Sequence, residues 1–513
     1  QEMMNHKHVA ILCAFTPSVG ALTVATRSFF GTLARESNVE LASPLAVADF
    51  SGVRGVKAEQ SLKAGARVIA VPSSEALQVT SGQPCPPWAP DSVWRSSKQD
   101  VRLALVLLHA VHGDAGSETD ARRSWLGMLP TSFDTPVFWS EEELSLLAYP
   151  PLQRAVEAQR VAWTEKHAQL IEASKPMGAV AEGMSPTLER FLWALACVRS
   201  RAFSGPYSSG TLKGAAQQIA FGGTLATLYA LSGVGSSEQA LNGFLAVLIS
   251  VIASDFLFAR LSPAKRYVLC PWIDLLNHHS SQSASQLSYE YFTDTFAATL
   301  DPTATDVRAG EQVRISYGPR SNEQLLQYYG FVEPANPHES YELRQDDFLL
   351  ALAAAIPYEP TNIRRLVDAA IAQPDGKVSF SSAGADARGM QMTRLLLADD
   401  GIVEQGREPC GRLADEVAAL RALALLAEGQ RSAISAISAA AETAASSSGC
   451  RPSVLQTASA FVSDKARMLG DAAAEMRRRA DESERLGSLV PSEPAASESK
   501  GRSLPGLGLT RID

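Results

Sequence analysis

Four places in the chain hold residues in settings where chemistry could be done. Asn277 and His278 follow a short apolar run, Tyr267 to Leu269, and Pro271. An asparagine side chain and a histidine backbone can together satisfy the donors and acceptors of an adenine or an amino-acid moiety, which a purely apolar pocket cannot do. The plainer reading of an Asn-His pair is a capped turn, and for the neighbouring Asp274 and His279 that structural reading is kept. Tyr317 stands at the end of a strand beside Gly318-Pro319. A phenol there is either a core ring whose hydroxyl has found a partner or a hydroxyl presented to a site. Arg199-Ser200-Arg201 closes a helix, where cations are favoured by the helix dipole without any ligand. A guanidinium fork held there also suits a carboxylate. Gly52 and Gly55 flank a turn in which Gly55 can bring main-chain N–H and C=O groups close to a ligand, a signal shared with any hairpin.

These residues need elements to hold them. In residues 311–331, EQVRISYGPRSNEQLLQYYGF, Val313, Ile315 and Tyr317 share one face of a strand. Gly318-Pro319 ends that strand, and Ser321 is placed to cap a short helix with Glu323 and Gln324 in its first turn. From Leu41 to Pro72, short β-branched runs with glycines at 52, 55 and 65 predict twisted hairpins. Residues 98–200 predict helices: VRLALVLLHAVHG has helical apolar spacing, Ser140 with Glu143 forms a capping box, and Ser185-Pro186 starts a helix running to about Ser200. Beyond Glu333 the chain is a series of helical segments divided by Ser-, Ala- and Gly-rich loops, low in complexity at 434–453 and disordered after about Gly487.

Composition limits the function classes. A chain of 513 residues, 46% hydrophobic and 20% charged, predicts two globular domains and a tail. A net charge of -9 without a dense Lys/Arg run argues against nucleic acid as a partner. The six cysteines show no C-x-x-C spacing, so neither a zinc site nor a disulfide framework is indicated, which fits a reducing compartment. Residues 3–35 contain no Asp or Glu and are rich in Ser, Thr and Ala, as organelle transit segments are, although TRSFFGTLARES at their end also reads as an ordinary helix. Gly214 to Ser237, and the run from Gln239 to Ser254, are uncharged. Both are shorter or more interrupted than a membrane span, which predicts a buried helical pair and leaves contact with a membrane surface open.

In order, Gly52 to Ala58 with SLKAGARVIAVP up to Pro72, FLWALACVRSRAF (191–203), CPWIDLLNHHS (270–280) and residues 311–331 resemble the SET-domain methyltransferases. WLGMLPTSFDTPVFWSEEELSLL (125–147) is similar to the branch typified by the Rubisco large-subunit lysine N-methyltransferase. The resemblance implies an α+β fold, with a SET β core at 41–340 interrupted by a helical insert at about 85–260. An all-helical domain at 341–487 would follow, with a possible leader at 1–40 and a tail at 488–513. It implies S-adenosyl-L-methionine as cofactor, no metal, and Tyr317 as the catalytic hydroxyl. Arg201 would reach the cofactor carboxylate, and Gly52, Val53, Arg54, Asn277 and His278 would complete its site. Tyr329, Gly330 and Phe331 would wall the methyl-transfer channel. The implied activity is lysine methylation of a non-histone protein, such as the Rubisco large subunit or another plastid enzyme. That substrate would dock through the SET groove and the helical domain of a monomer, in the chloroplast or otherwise in the cytoplasm. Two alternatives stay open: a histidine acceptor, against which the apolar Phe203 beside Arg201 argues, and an inactive SET-fold binding module.

Overall fold

The computed structural model describes residues 39–489, except 42–43, 51, 81–82, 113–119, 179–184, 206–222, 225, 233–235, 237, 240, 247–248, 250–265, 281–284, 291–293, 356–375, 398–412 and 446–448. Nearly all of the expected leader and tail, and the predicted helix at 363–371, lie outside the described residues. Two compact units divide the chain: one is Gln1–Glu339 with Ile437–Asp464, the other Ser340–Ala436 with Lys465–Asp513.

In the first unit the strands are β1 (Glu40–Leu41), β2 (Leu45–Phe50), β3 (Val53–Ala58), β4 (Arg67–Pro72), β5 (Leu77–Val79), β6 (Phe203–Gly205), β7 (Arg266–Leu269), β8 (Asn277–His278), β9 (Ser285–Glu290), β10 (Thr295–Leu300) and β11 (Gln312–Ile315). Among the described residues the main sheet runs β1-β4-β10-β9-β11-β3-β2, with β8 also on β11. The strand β11 is the hub. It pairs antiparallel with β3 at Val313↔Val56 and parallel with β8 at Arg314↔Asn277 and Ile315↔His278. Three segments far apart in sequence meet there because Val313 and Ile315 alternate into a core with Val56, Ile69, Trp272 and Phe296. Burying each such side chain is worth about 1.5–3 kcal/mol. As predicted, Val313 and Ile315 face inward, but the strand ends at Ile315 and Tyr317 stands beyond it.

A second core joins the Gln99–His112 and Leu188–Arg201 helices through Leu103, Leu107, Phe191 and Leu195, with Trp88 and Trp125 beside them. The latter helix is capped by Thr187, whose hydroxyl accepts from the Arg190 N–H at 3.3 Å, rather than by Ser185. Ser321 precedes the Asn322–Tyr329 helix without any side-chain cap hydrogen bond, so the expected cap there is absent. The Ser140 and Glu143 capping box is present. Parts of 214–254 are helical, yet Leu228, Leu231 and Ile249 are 57%, 78% and 63% exposed, so the described residues do not form the expected buried pair. No helix among the described residues is long and apolar enough to cross a membrane.

The second unit is not all helical. β12 (Tyr341–Arg344), β13 (Lys377–Ser381) and β14 (Gly384–Ala385) form a three-stranded sheet. Tyr341, Leu343, Val378 and Phe380 alternate inward, a period-2 signal too short to separate from loop in the sequence. The Ala/Ser-rich stretch from 434 belongs to the Leu413–Ala445 helix, in keeping with the high helix propensity of alanine.

Glu143 gives one testable consequence within the first unit. It is 5% exposed and accepts from the Arg451 N–H, Nε and Nη2 at 3.1, 2.8 and 2.8 Å. The Arg451 hydrogen bonds, opposed by burial and helped by the Ser140 N–H, pull its carboxyl down to about 2. A depressed folded-state value contributes stability above the ordinary carboxyl range, and that stability is lost as pH falls through about 2. Glu143→Gln is therefore expected to cost about 1–3 kcal/mol near neutral pH. In thermal melts the gap to wild type should close between pH 5 and pH 2, whereas a gap constant across that range would deny the pair this role.

Candidate active site

The end of β11 delivers Tyr317 to the place where β8 arrives. Its N–H donates to His278 Nδ1 at 2.9 Å and its hydroxyl donates to the Leu276 carbonyl at 2.9 Å. Burial pushes the phenol well above its ordinary range, more than Arg201 pulls it down. The hydroxyl is therefore neutral at any physiological pH. With its proton on Leu276, its lone pairs remain available to accept from an incoming N–H. The Tyr317 ring stacks between His278, at 5.0 Å, and Tyr329, at 4.7 Å. Phe331 lies 6.1 Å from His278 and 6.3 Å from Tyr329. These four rings form one wall. Gly330 makes their geometry possible: at φ +79° it ends the Asn322–Tyr329 helix, donating to the Leu325 and Leu326 carbonyls, so that Tyr329 and Phe331 diverge.

The other wall is charged. Arg201, the last residue of its helix, donates through Nη1 to the Asp274 carbonyl at 2.9 Å and to Asp274 Oδ2 at 3.3 Å. Asp274 also accepts from Trp125 Nε1 at 3.2 Å. Its side chain is 1% exposed, and burial pushes its carboxyl upward against the pull of Arg201, Trp125 and Arg54. Arg54 is drawn below its ordinary range by burial and by Arg201, against Asp274. Two guanidiniums thus face one carboxylate, and Arg201 Nε is buried without a hydrogen-bond partner. A site with surplus positive charge and an orphaned donor suits a small carboxylate. The turn that carries Asp274 begins at Trp272, which is buried with φ +63° and ψ -37°, a sparsely populated conformation costing a bulky residue about 1–3 kcal/mol.

The glycine turn lies against this pair. Gly52 has φ +87° and donates to Asp49 Oδ1 at 2.8 Å, while Val53 is 56% exposed at the head of β3. On the side where a Cβ would stand, the space beside Gly55 is taken by the protein itself. A Cβ there would stand 2.2 Å from Gln312 Nε2 and 2.8 Å from Asn277 Nδ2. Asn277 Nδ2 donates to the Arg54 carbonyl at 2.9 Å, tying β8 to the turn. Arg199 is separate from this group, with its guanidinium 4.1 Å over the Tyr328 ring and 3.7 Å from Asp100.

The structure brings together Arg54, Arg201, Asn277, His278, Tyr317, Tyr329 and Phe331. Asp274, left as structural in the sequence, is part of the charged wall, and Trp125, Ser280 and Glu333 were not singled out at all. Glu333 accepts from the Ser280 N–H and hydroxyl at 2.8 and 2.6 Å and lies 3.3 and 3.4 Å from His278 and His279. A carboxylate in the apolar run IDLL was the one available signal for Asp274, since a buried acid needs a partner. Among the described residues no group of three or more His, Cys, Asp or Glu could hold a metal ion.

No family model matches the chain. Over 250 residues it is 26% identical to the chloroplastic [fructose-bisphosphate aldolase]-lysine N-methyltransferase of Arabidopsis thaliana, covering 47% of this chain and 39% of that protein. Over 105 residues it is 35% identical to the actin-histidine N-methyltransferase of Drosophila melanogaster, covering 20% of this chain and 18% of that one. The chain thus spans less than half the length of these curated relatives. Its structure superposes on the SET domain of Rubisco LSMT, solved with methyllysine and S-adenosylhomocysteine, with a TM-score of 0.53 at 17% identity, covering 94% of this chain and 98% of that one. The fold is that of the SET-domain methyltransferases.

Proposed function

We propose that this SET-fold protein is an S-adenosylmethionine-dependent lysine N-methyltransferase acting on a non-histone protein, a plastid enzyme such as the Rubisco large subunit. The observation that carries the reading is the neutral Tyr317 hydroxyl, held on the Leu276 carbonyl between stacked rings and beside a charged pocket with one cation in excess. Arg201 and Arg54 would hold the carboxylate of the cofactor, with Asn277 and His278 completing its site. When bound, S-adenosylmethionine supplies an electrophilic methyl that carries its own leaving group. Tyr317 accepts from the lysine amine and orients its lone pair, as near-attack alignment requires. A lysine of ordinary pKa, about 10.4, is mostly protonated at neutral pH, and the sulfonium charge of the bound cofactor would favour its neutral form. Tyr329 and Phe331 exclude water from the transfer path. The second unit would dock the protein substrate. Titration calorimetry with S-adenosylmethionine tests the premise, and a protein that releases no heat and shows no competition by S-adenosylhomocysteine would leave the reading without its cofactor.

The likeness to the Drosophila enzyme favours a second reading, a histidine acceptor. Phe203 speaks against it. This half-buried ring packs on the same core as Tyr317, and an apolar neighbour offers no partner for the second nitrogen of an imidazole. The plastid assignment rests on the acid-poor residues 3–35 and the chloroplastic relative. Fused to a fluorescent reporter, residues 1–40 are expected to carry it into chloroplasts. A reporter seen only in the cytosol would count against the plastid assignment.

A further inference from the structure

The contacts around the neutral His278 ring select one of its two tautomers. Its Nδ1 accepts the Tyr317 N–H at 2.9 Å, so in the neutral ring the proton sits on Nε2. Nε2 lies 3.1 Å from Ser280 Oγ and 3.3 Å from Glu333 Oε2. Ser280 turns both its donors to Glu333, the hydroxyl to Oε2 at 2.6 Å and the N–H to Oε1 at 2.8 Å. Donors and acceptors therefore run one way, from Tyr317 through His278 and Ser280 to the carboxylate. The other tautomer, or a protonated ring, would set an Nδ1–H against the Tyr317 N–H, two donors at hydrogen-bond distance.

We propose that Glu333, acting through Ser280 and the His278 ring, is a positioning residue for Tyr317. It fixes the tautomer that holds the Tyr317 amide and thereby the place of the Tyr317 hydroxyl. The proposal rests on the methyl-transfer reading only for its effect on rate. Burial pushes the Glu333 carboxyl up, but the Ser280 hydrogen bonds and the two histidines bring it below its ordinary range, so it is ionised at neutral pH. Burial also draws His278 below the ordinary histidine range, more than Glu333 and the Ile315 carbonyl raise it, and His279 adds to the lowering. Glu333, His279 and Tyr317 are the titratable groups that face the ring. The main-chain bonds between Glu333 and Asn322 do not involve the carboxylate, so substitution leaves them in place.

The test uses the full chain with ¹⁵N-labelled histidine, the His278 signal being assigned from its loss in His278→Asn. Wild type is expected to show the Nε2–H tautomer at pH 7.5, Glu333→Gln a mixture of tautomers, and Glu333→Asp the wild-type pattern. In parallel, methyl transfer from labelled S-adenosylmethionine to a chloroplast stromal extract is measured at saturating cofactor. Glu333→Gln is expected to slow it at least tenfold, with cofactor affinity by calorimetry within threefold of wild type and partial recovery in Glu333→Asp. A wild-type ring carrying its proton on Nδ1, or a Glu333→Gln protein with unchanged tautomer and rate, overturns the proposal. If wild type itself transfers no methyl while the tautomer still follows Glu333, the methyltransferase reading fails and the positioning of His278 stands.

Discussion

Tyr317→Phe is expected to give a folded protein that binds S-adenosylmethionine as wild type does and transfers methyl groups about 100-fold more slowly or worse, the usual scale for one positioned donor or acceptor. The substitution keeps the ring and hence the stacks on His278 and Tyr329. It removes one hydroxyl and its bond to the Leu276 carbonyl, which costs on the order of 1 kcal/mol of stability. If that were the hydroxyl's whole role, turnover per folded molecule would survive. A group that acts on the transition state lowers kcat and kcat/KM together. The Tyr317 N–H bond to His278 is unaffected, so a loss of rate cannot be traced to a displaced backbone. A variant with wild-type kcat would return Tyr317 to the core.

Arg201→Ala is expected to act twice. Loss of a charged hydrogen-bond donor should weaken S-adenosylmethionine binding by about 1–3 kcal/mol, roughly 5- to 150-fold. The same change leaves Asp274, 1% exposed, with Trp125 Nε1 and the more distant charge of Arg54. Removing one partner of a buried ion pair costs about 3–5 kcal/mol. Asp274→Asn in the Arg201→Ala background removes the stranded charge, so the double variant should recover stability but not cofactor affinity. Arg201→Lys separates the two effects further, because it retains a charge for Asp274 and loses the planar fork. Full affinity in Arg201→Ala, measured on protein shown to be folded, would remove Arg201 from the site.

How far the sequence alone leads depends on the separation of interacting residues. Val313 and Ile315 could be placed on the buried face because alternation is a local pattern, and Ser140 with Glu143 because a capping box spans four residues. The Ser321 cap failed for the complementary reason: a permitted residue type does not oblige its side chain to bond. β12 to β14 escaped notice because strands of two to five residues carry little periodicity, and an Ala- and Leu-rich surrounding reads as helix throughout. Asp274 and Arg201 are 73 positions apart, and Ser280 and Glu333 are 53 apart. No window on the sequence contains either pair; the first is brought together where β6 lies on β7, and the second beyond the end of β8, which lies on β11. The sequence lets the Gly55 main chain come close to a ligand, and the fold sets Asn277 and Gln312 on its Cβ side. A glycine marks close approach without saying what approaches.

Methyl transfer to a lysine can be read directly from the acceptor. Stromal extract incubated with the protein and trideuteromethyl S-adenosylmethionine is digested and sequenced by mass spectrometry, with Tyr317→Phe as the paired control. The predicted result is heavy methyl on the Nζ of a defined lysine in a non-histone protein, formed by wild type and nearly absent from the control. Heavy methyl on a histidine, or label formed equally by wild type and Tyr317→Phe, would contradict the account.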